Sequence, residues 1–126
     1  MSPLQAGTVL IVDDEYSLRQ PIGMMLRDKG LDVLEVADGF AATNLLRTRG
    51  NSIDAILLDI NMPGPSTDEI IATAVEARPD IKVILTSGFS KEMVMSRVSA
   101  PQVCGFVRKP FQFKELLKVL HSSLCS

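Results

Sequence analysis

Five polar residues of this 126-residue sequence have side chains suited to a divalent cation and a phosphoryl group: Asp13, Asp14, Asp59, Thr86 and Lys109. Each stands at or near the end of a short apolar segment. Three carboxylates gathered in one crevice repel one another by roughly 4 kcal/mol per close pair at an effective dielectric of 20, so a cation must accompany them. Because the pattern contains no His or Cys, its oxygen ligands favour Mg²⁺, and Lys109 adds a positive charge for a phosphoryl oxygen.

The same residues distinguish nucleotide binding from phosphoryl transfer onto the protein. The sequence has neither a G-x-x-x-x-G-K-[ST] loop nor a G-x-G-x-x-G turn after its first apolar segment, where it reads VDDE at 12–15. Acidic side chains at that position would repel a pyrophosphate. A carboxylate such as Asp59 can instead act as the nucleophile and form an aspartyl phosphate, while the metal and Lys109 neutralise the developing charge.

The elements that must position these residues follow from an alternation of apolar runs with amphipathic segments. The apolar runs cover residues 8–12, 31–37, 55–58, 82–87 and 104–108. They are rich in Val, Ile and Leu without period-two polarity, which is typical of strands buried on both faces of a parallel sheet. We predict an α/β, flavodoxin-like, doubly wound five-stranded parallel sheet of order 2-1-3-4-5 with five helices. Its ligand site should lie beyond the carboxyl ends of the first and third strands.

Helix signals fill the intervals between the apolar runs. Ser66 with Glu69 reads as a capping box, and Asp38 and Ser90 are suitable N-caps. Pro21 is expected in or near the first turn of the first helix, where its missing N–H is best tolerated. His121, the only histidine, is expected to be a surface residue of the last helix rather than a phosphohistidine.

Length and composition indicate one domain over residues 8–126 after a leader at 1–7. A net charge of −2 and a pI of 5.3 offer no basic surface for direct nucleic-acid binding. No apolar run reaches the roughly 18 residues that span a bilayer, and the N-terminus lacks signal-peptide features, so we expect no membrane insertion and a cytoplasmic location. Cys104 and Cys125 are expected to be inert, with the Cys104 thiol buried.

Four motifs carry a resemblance to a known family over residues 9–124. They read LIVDDE at 10–15, LLDINMPG at 57–64, ILTSG at 84–88 and GFVRKPF at 105–111. In this order and at these intervals they resemble the receiver domains of bacterial response regulators, both the single-domain chemotaxis type and the type fused to hybrid histidine kinases.

The resemblance implies a role for each matching position. Asp59 would be the phosphoacceptor, and Mg²⁺ would be held by Asp14, Asp59 and the backbone carbonyl of Asn61, with Asp13 acting mainly through water. Lys109 would contact the phosphoryl group. The peptide bond between Lys109 and the following proline would be cis.

Two further positions would convert phosphorylation into a change of shape. Thr86 would donate its hydroxyl to the phosphoryl group and draw its loop inward, and Phe106 would turn from exposed to buried. The output surface would then be the fourth helix, fifth strand and fifth helix.

The predicted function is a phosphoacceptor domain of a two-component phosphorelay. A histidine kinase or phosphotransfer protein would supply the phosphoryl group, and output would pass to a downstream protein or a fused domain. The domain would catalyse its own phosphorylation and dephosphorylation, as a separate regulator or as part of a hybrid histidine kinase, without being a metabolic enzyme. Two alternatives stay open: a small-molecule phosphatase with Asp59 as nucleophile, and a receiver-like interaction domain that is never phosphorylated.

Overall fold

A computed structural model describes residues 7–98 and 100–124 of the chain. Strands and helices alternate along these residues. The strands are β1 (Thr8–Val12), β2 (Asp32–Val36), β3 (Ala55–Asp59), β4 (Lys82–Ser87) and β5 (Val103–Arg108). The helices are α1 (Tyr16–Asp28), α2 (Gly39–Arg49), α3 (Thr67–Ala77), α4 (Lys91–Met95) and α5 (Phe113–Leu124), and a short 3₁₀ turn at Gly50–Ser52 follows α2.

The five strands form one parallel sheet in the order β2-β1-β3-β4-β5, which confirms the predicted topology. All strands run in the same direction, so their carboxyl ends meet at one edge of the sheet. The register places Asp59, the last residue of β3, beside Thr86 of β4. Strand order reverses between β1 and β3, where the two crossovers leave in opposite directions and open a crevice.

Both faces of the sheet are buried, as the unbroken apolar runs predict. On one face, which we term the α2–α4 face, β-strand side chains pack with α2, α3 and α4; its members include Leu10, Leu58, Leu85, Leu46, Ile71 and Val94. On the other, the α1–α5 face, strands pack with α1 and α5; its members include Ile11, Leu57, Ile84, Leu26, Leu116 and Leu120. Burial of each such side chain contributes about 1.5–3 kcal/mol, which holds the strand ends in place.

The helix N-termini are fixed by the side chains that the sequence indicated. Asp38, Ser66 and Ser90 each accept a hydrogen bond from the backbone N–H three residues later, at 2.7, 3.1 and 3.3 Å. These bonds satisfy helix N–H groups that have no partner within the helix. The three N-cap predictions are therefore confirmed.

The start of α1 differs from the expectation. Pro21 lies inside the helix, beyond its first turn, because α1 already begins at Tyr16. The residue's missing N–H removes one helical hydrogen bond, to the carbonyl of Ser17, yet α1 continues to Asp28. Burial of Ile22 and Leu26 on the α1–α5 face outweighs that loss.

The prediction that the Cys104 thiol is buried was wrong, because the residue is exposed. Cys104 lies near the start of β5, an edge strand paired only with β4, where the pairing register is irregular. Cys125 lies outside the described residues. His121 is exposed on α5, as predicted, and the Lys109–Pro110 bond is cis. Within the described part of the chain, every helix is too short or too polar to reach across a bilayer.

Candidate functional site

The carboxyl edge of the sheet brings a lysine and two buried aspartates into direct contact. Asp13 and Asp59 are only 5% and 4% exposed, which is rare for carboxylates without a partner. The Lys109 ammonium is 2.9 Å from Asp13 Oδ2 and 3.1 Å from Asp59 Oδ2. Residues from the ends of β1, β3 and β5 thus converge although they are far apart in the chain.

The backbone around these three residues explains their placement. The amide of Asp13 extends the sheet by donating to the Val36 carbonyl at 3.2 Å, and the amide of Lys109 donates to the Ser87 carbonyl at 2.8 Å. The Asp13 carboxylate accepts the Glu15 amide at 2.9 Å, which turns the chain into α1. The backbones of Asp13 and Lys109 are therefore bonded to the neighbouring strands, and Asp59 pairs with Thr86 of β4, which fixes where the three side chains enter the site.

Three carboxylates lie close enough to hold a metal ion together. Asp13, Asp14 and Asp59 each offer an oxygen, and these oxygens lie within 4.8 Å of one another. This spacing is close to the roughly 4.2 Å that separates opposite ligands of an octahedral Mg²⁺. The all-oxygen donor set and its excess negative charge fit Mg²⁺ or a similar hard cation. Asp14 is exposed, which leaves room for water ligands.

Burial and ion pairing oppose each other in the two central groups. Burial raises the pKa of Asp59 above 3.8. Two contacts lower this pKa but do not outweigh burial: the Asn61 amide, which donates to Asp59 Oδ1 at 3.1 Å, and the charge of Lys109. Burial lowers the pKa of Lys109, but its ion pairs with Asp13 and Asp59 outweigh this, so its pKa lies above 10.5. Lys109 is therefore charged at neutral pH and holds two carboxylates that would otherwise repel each other.

The raised pKa of Asp59 predicts how stability depends on pH in metal-free protein. Because the folded pKa lies above the unfolded value of 3.8, the penalty for folding with a charged Asp59 is fully present above the folded pKa. That penalty is lost as pH falls through the folded pKa. We therefore expect the stability of Asp59→Asn relative to wild type to decrease from neutral pH to about pH 4. Urea unfolding of both proteins in chelator measures this difference; a relative stability that rises on acidification contradicts it.

The two adjacent hydroxyls at the end of β4 face opposite sides of the sheet. Leu85 belongs to the α2–α4 face and Ile84 to the α1–α5 face, so strand alternation directs Ser87 toward the former and Thr86 toward the latter. Thr86 pairs with Val107 of the α1–α5 face. The structure therefore places Thr86 beside Asp59 in register but on the face opposite to Phe106.

Ser87 shares its face with the predicted aromatic switch residue. Phe106 is half-buried against the α2–α4 cluster, beside Leu85. The Ser87 hydroxyl accepts hydrogen bonds from the Phe89 amide at 3.0 Å and from the Asn61 side chain at 3.3 Å. Asn61 thus connects the loop after Asp59 with the end of β4. The roles assigned to Thr86, Phe106 and the Asn61 carbonyl stay predictions.

Sequence reasoning missed two residues at this site. Glu15 Oε1 lies 3.4 Å from the Lys109 ammonium, so a third carboxylate shares that charge. Its position directly after two aspartates was an available signal. Ser87 was missed because an apolar strand buried on both faces does not reveal which of two successive hydroxyls points which way.

Known sequences are similar to this chain over nearly its whole length. Residues 9–121 match the family described as response regulator receiver domain. The chain is 29% identical over 119 residues to the sensor kinase CckA of Brucella abortus, covering 94% of this chain and 13% of that kinase. It is 30% identical over 117 residues to the sensory transduction protein RegX3 of Mycolicibacterium smegmatis, covering 93% and 50%. The chain thus spans half or less of the length of these relatives.

Solved structures share the same fold. A response regulator receiver protein from Sinorhizobium medicae superposes with a TM-score of 0.85 at 27% identity, covering 98% of each chain. The receiver domain of the hybrid histidine kinase CckA gives 0.79 at 28% identity, covering 94% of this chain and 99% of that one. The chemotaxis protein CheY4 of Vibrio cholerae gives 0.80 at 27% identity, covering 94% and 98%.

Proposed function

This chain belongs to the response regulator receiver domain family, and from that premise we propose that Asp59 accepts a phosphoryl group within a two-component signalling pathway. The observation that carries the proposal is the contact between the charged Lys109 and the buried Asp59, at 3.1 Å. A buried carboxylate held beside a fixed cation is positioned to attack phosphorus while the charge that develops on the phosphoryl oxygens is neutralised.

The proposed transfer uses few groups. An oxygen of Asp59 forms a bond to phosphorus as the bond from phosphorus to the donor breaks, and the donor fragment leaves with that electron pair. Lys109 then exchanges part of its contact with Asp13 and Asp59 for a phosphoryl oxygen. Asp13, Asp14, Asp59 and the Asn61 carbonyl are proposed to hold Mg²⁺. When bound, Mg²⁺ supplies positive charge to the transferring group.

The response to phosphorylation is proposed to run along the α2–α4 face. We assign the switch hydroxyl to Ser87 in preference to Thr86, because Ser87 and Phe106 share that face. The Ser87 hydroxyl accepts from the Phe89 amide and the Asn61 side chain, so its own O–H can donate to a phosphoryl oxygen and draw Ser87 and the loop bonded to it toward that group. The space released favours burial of Phe106 and changes the α4–β5–α5 surface by shifting an existing equilibrium.

A pair of substitutions tests this assignment. A hydrogen bond to a charged group contributes about 1.5–3 kcal/mol, so Ser87→Ala should weaken binding of the phosphoryl mimic beryllium trifluoride about ten- to a hundredfold. Thr86→Val, the matched control, should leave that affinity unchanged. Calorimetric titration in Mg²⁺ gives both values. The reverse order, with Thr86→Val the weaker binder, would return the role to Thr86.

The phosphodonor is proposed to be a histidine kinase or a phosphotransfer domain. An open groove of about 450 Å³ borders the site, lined by Glu15, Ser17, Leu18, Lys109, Pro110 and Phe111. Its apolar wall and its position beside Lys109 suit a partner that presents a phosphohistidine. The phosphorylated domain then passes the signal to a downstream protein or to a fused domain. The names of two relatives, a sensor kinase and a sensory transduction protein, support this proposal.

Incubation with acetyl phosphate and Mg²⁺ tests the proposed function directly. Intact-mass spectrometry should show one phosphoryl adduct that forms only when the metal is present. Steady release of phosphate from unrelated phosphate esters would instead support a small-molecule phosphatase. A protein that folds normally, binds Mg²⁺ and never acquires the adduct would be a non-phosphorylated interaction domain.

A further inference from the structure

Arg19, a nearly buried residue of α1, forms a hydrogen bond with the backbone of the carboxylate cluster. The Arg19 side chain is only 12% exposed, and its Nη1 donates to the Asp13 carbonyl at 2.6 Å. Its Nε lies 3.4 Å from Glu35 Oε1, an ion pair without hydrogen-bond alignment. Burying a guanidinium carries a desolvation penalty, so this placement needs a compensating arrangement.

Glu35 of β2 supplies that arrangement by pairing with two arginines of α1. Its carboxylate is 3.0 Å from Arg27 Nη1 as well as 3.4 Å from Arg19 Nε. Gly23 makes room for it: a Cβ at this position would lie 2.6 Å from Glu35 Oε2. A side chain at this position would therefore displace the Glu35 carboxylate from its present place between the two arginines.

The Arg19 guanidinium is restrained from a third side. Its central carbon lies 5.3 Å from the centroid of the Tyr16 ring, within the range of a cation–π contact. Tyr16, Glu35 and the Asp13 carbonyl together leave the guanidinium little freedom. The carbonyl end of the Asp13–Asp14 peptide is therefore tied to α1 and, through Glu35, to β2.

We propose that Arg19 is a positioning residue that orients the Asp13–Asp14 peptide and thereby sets the affinity of the carboxylate cluster for Mg²⁺. This inference rests on the proposed function for the identity of the cation. The metal would meet the Asp13 and Asp14 side chains, whose directions depend on the peptide between them. A hydrogen bond of 2.6 Å to the carbonyl of that peptide limits its rotation.

The sign of the effect separates positioning from simple electrostatics. Arg19 is positively charged and lies near a cation site, so removing its charge should tighten Mg²⁺ binding if only Coulomb repulsion matters. Loss of orientation should weaken Mg²⁺ binding instead. Supporting residues behind metal ligands typically change metal affinity about 10–100-fold when substituted. The two explanations therefore predict opposite directions.

The chain contains a matched control for Arg19. Arg27 also pairs with Glu35 and also donates to a backbone carbonyl, that of Val33 at 3.0 Å, but it does not contact Asp13. Arg19→Ala and Arg27→Ala each remove one positive charge, one ion pair with Glu35 and one hydrogen bond to a backbone carbonyl. We expect the Mg²⁺ dissociation constant from calorimetric titration to rise about tenfold or more for Arg19→Ala and to stay near the wild-type value for Arg27→Ala.

A second readout follows the peptide itself. In metal-free protein, the amide resonances of Asp14 and Glu15 should shift in Arg19→Ala and remain in place in Arg27→Ala. Arg19→Lys, which keeps the charge without the planar fork, should show an intermediate affinity and replaces Arg19→Ala if that variant does not fold. Tighter or unchanged Mg²⁺ binding by the Arg19 variants, an equal loss in Arg27→Ala, or no Mg²⁺ binding by wild type overturns the inference.

Phosphorylation is measured separately so that the two proposals can fail independently. At saturating Mg²⁺, the rate of adduct formation from acetyl phosphate should recover in Arg19→Ala, because only metal affinity is impaired. If wild type binds Mg²⁺ but never forms the adduct, the proposed function fails while the affinity comparison still decides the role of Arg19. If the adduct forms and the affinities do not differ, only the inference fails.

Discussion

Asp59→Asn is expected to abolish phosphorylation by acetyl phosphate completely. The amide has almost the size of the carboxylate but no nucleophilic oxygen, so no acyl phosphate can form. The fold should persist, because Asn accommodates the buried position at the end of β3 and Lys109 retains its pair with Asp13 at 2.9 Å. Intact-mass spectrometry after incubation with the donor and Mg²⁺ measures the adduct.

Asp32→Asn provides the control for this experiment. Asp32 is exposed and begins β2, so it lies at the amino ends of the strands, away from the site. The Asp32→Asn variant should therefore form the phosphoryl adduct at the wild-type rate. A surviving adduct in Asp59→Asn would show that another carboxylate, with Asp13 or Asp14 the first to be mapped, accepts the phosphoryl group. The assignment of Asp59 would then be wrong even if the signalling role stands.

Lys109→Met is expected to produce the second large effect, on both stability and phosphorylation. Its ammonium is the cation that contacts the buried Asp13 and Asp59, and Met cannot replace that charge. Removing one partner of a buried ion pair typically destabilises a protein by about 3–5 kcal/mol, because the remaining charges stay buried without compensation. The loss should be greatest in metal-free protein, where no other cation accompanies the two carboxylates. Phosphorylation should slow at least on the order of a hundredfold.

Urea unfolding with chelator and with excess Mg²⁺ measures the stability effect. Added Mg²⁺ should stabilise Lys109→Met more than wild type, because a bound cation substitutes for the missing ammonium between the carboxylates. Lys114→Met is the control, since Lys114 is an exposed lysine of α5. Equal stability of Lys109→Met and Lys114→Met would mean that the observed ion pairs contribute little.

The sheet was predictable because its signals are local. The run at 8–12 and the run at 82–87 coincide with β1 and β4, and each ends where the sequence turns polar or reaches a glycine. The starts of α2, α3 and α4 were predictable for the same reason, since a cap such as Ser90 acts within three residues. Features decided by neighbours were not predictable: α4 ends already at Met95, and Cys104 is exposed on an edge strand.

The site shows the same division between local and distant causes. Asp13, Asp59 and Lys109 could be grouped because strand ends in a parallel sheet meet at one edge. The direction of the Ser87 hydroxyl could not be deduced, since both faces of β4 are apolar. The contact between Arg19 and the Asp13 carbonyl leaves no trace in the sequence at all, because every residue has a carbonyl.

The contact of one ammonium with three carboxylates also predicts an order in which the proposed ligands bind. Asp13, Glu15 and Asp59 lie within 3.4 Å of Lys109, and Asp14 adds a fourth negative charge at the rim. The net negative charge of this crevice repels a negatively charged phosphodonor that arrives first and attracts a divalent cation. On the proposed function, we therefore expect the cation to bind in the crevice before the anionic phosphodonor.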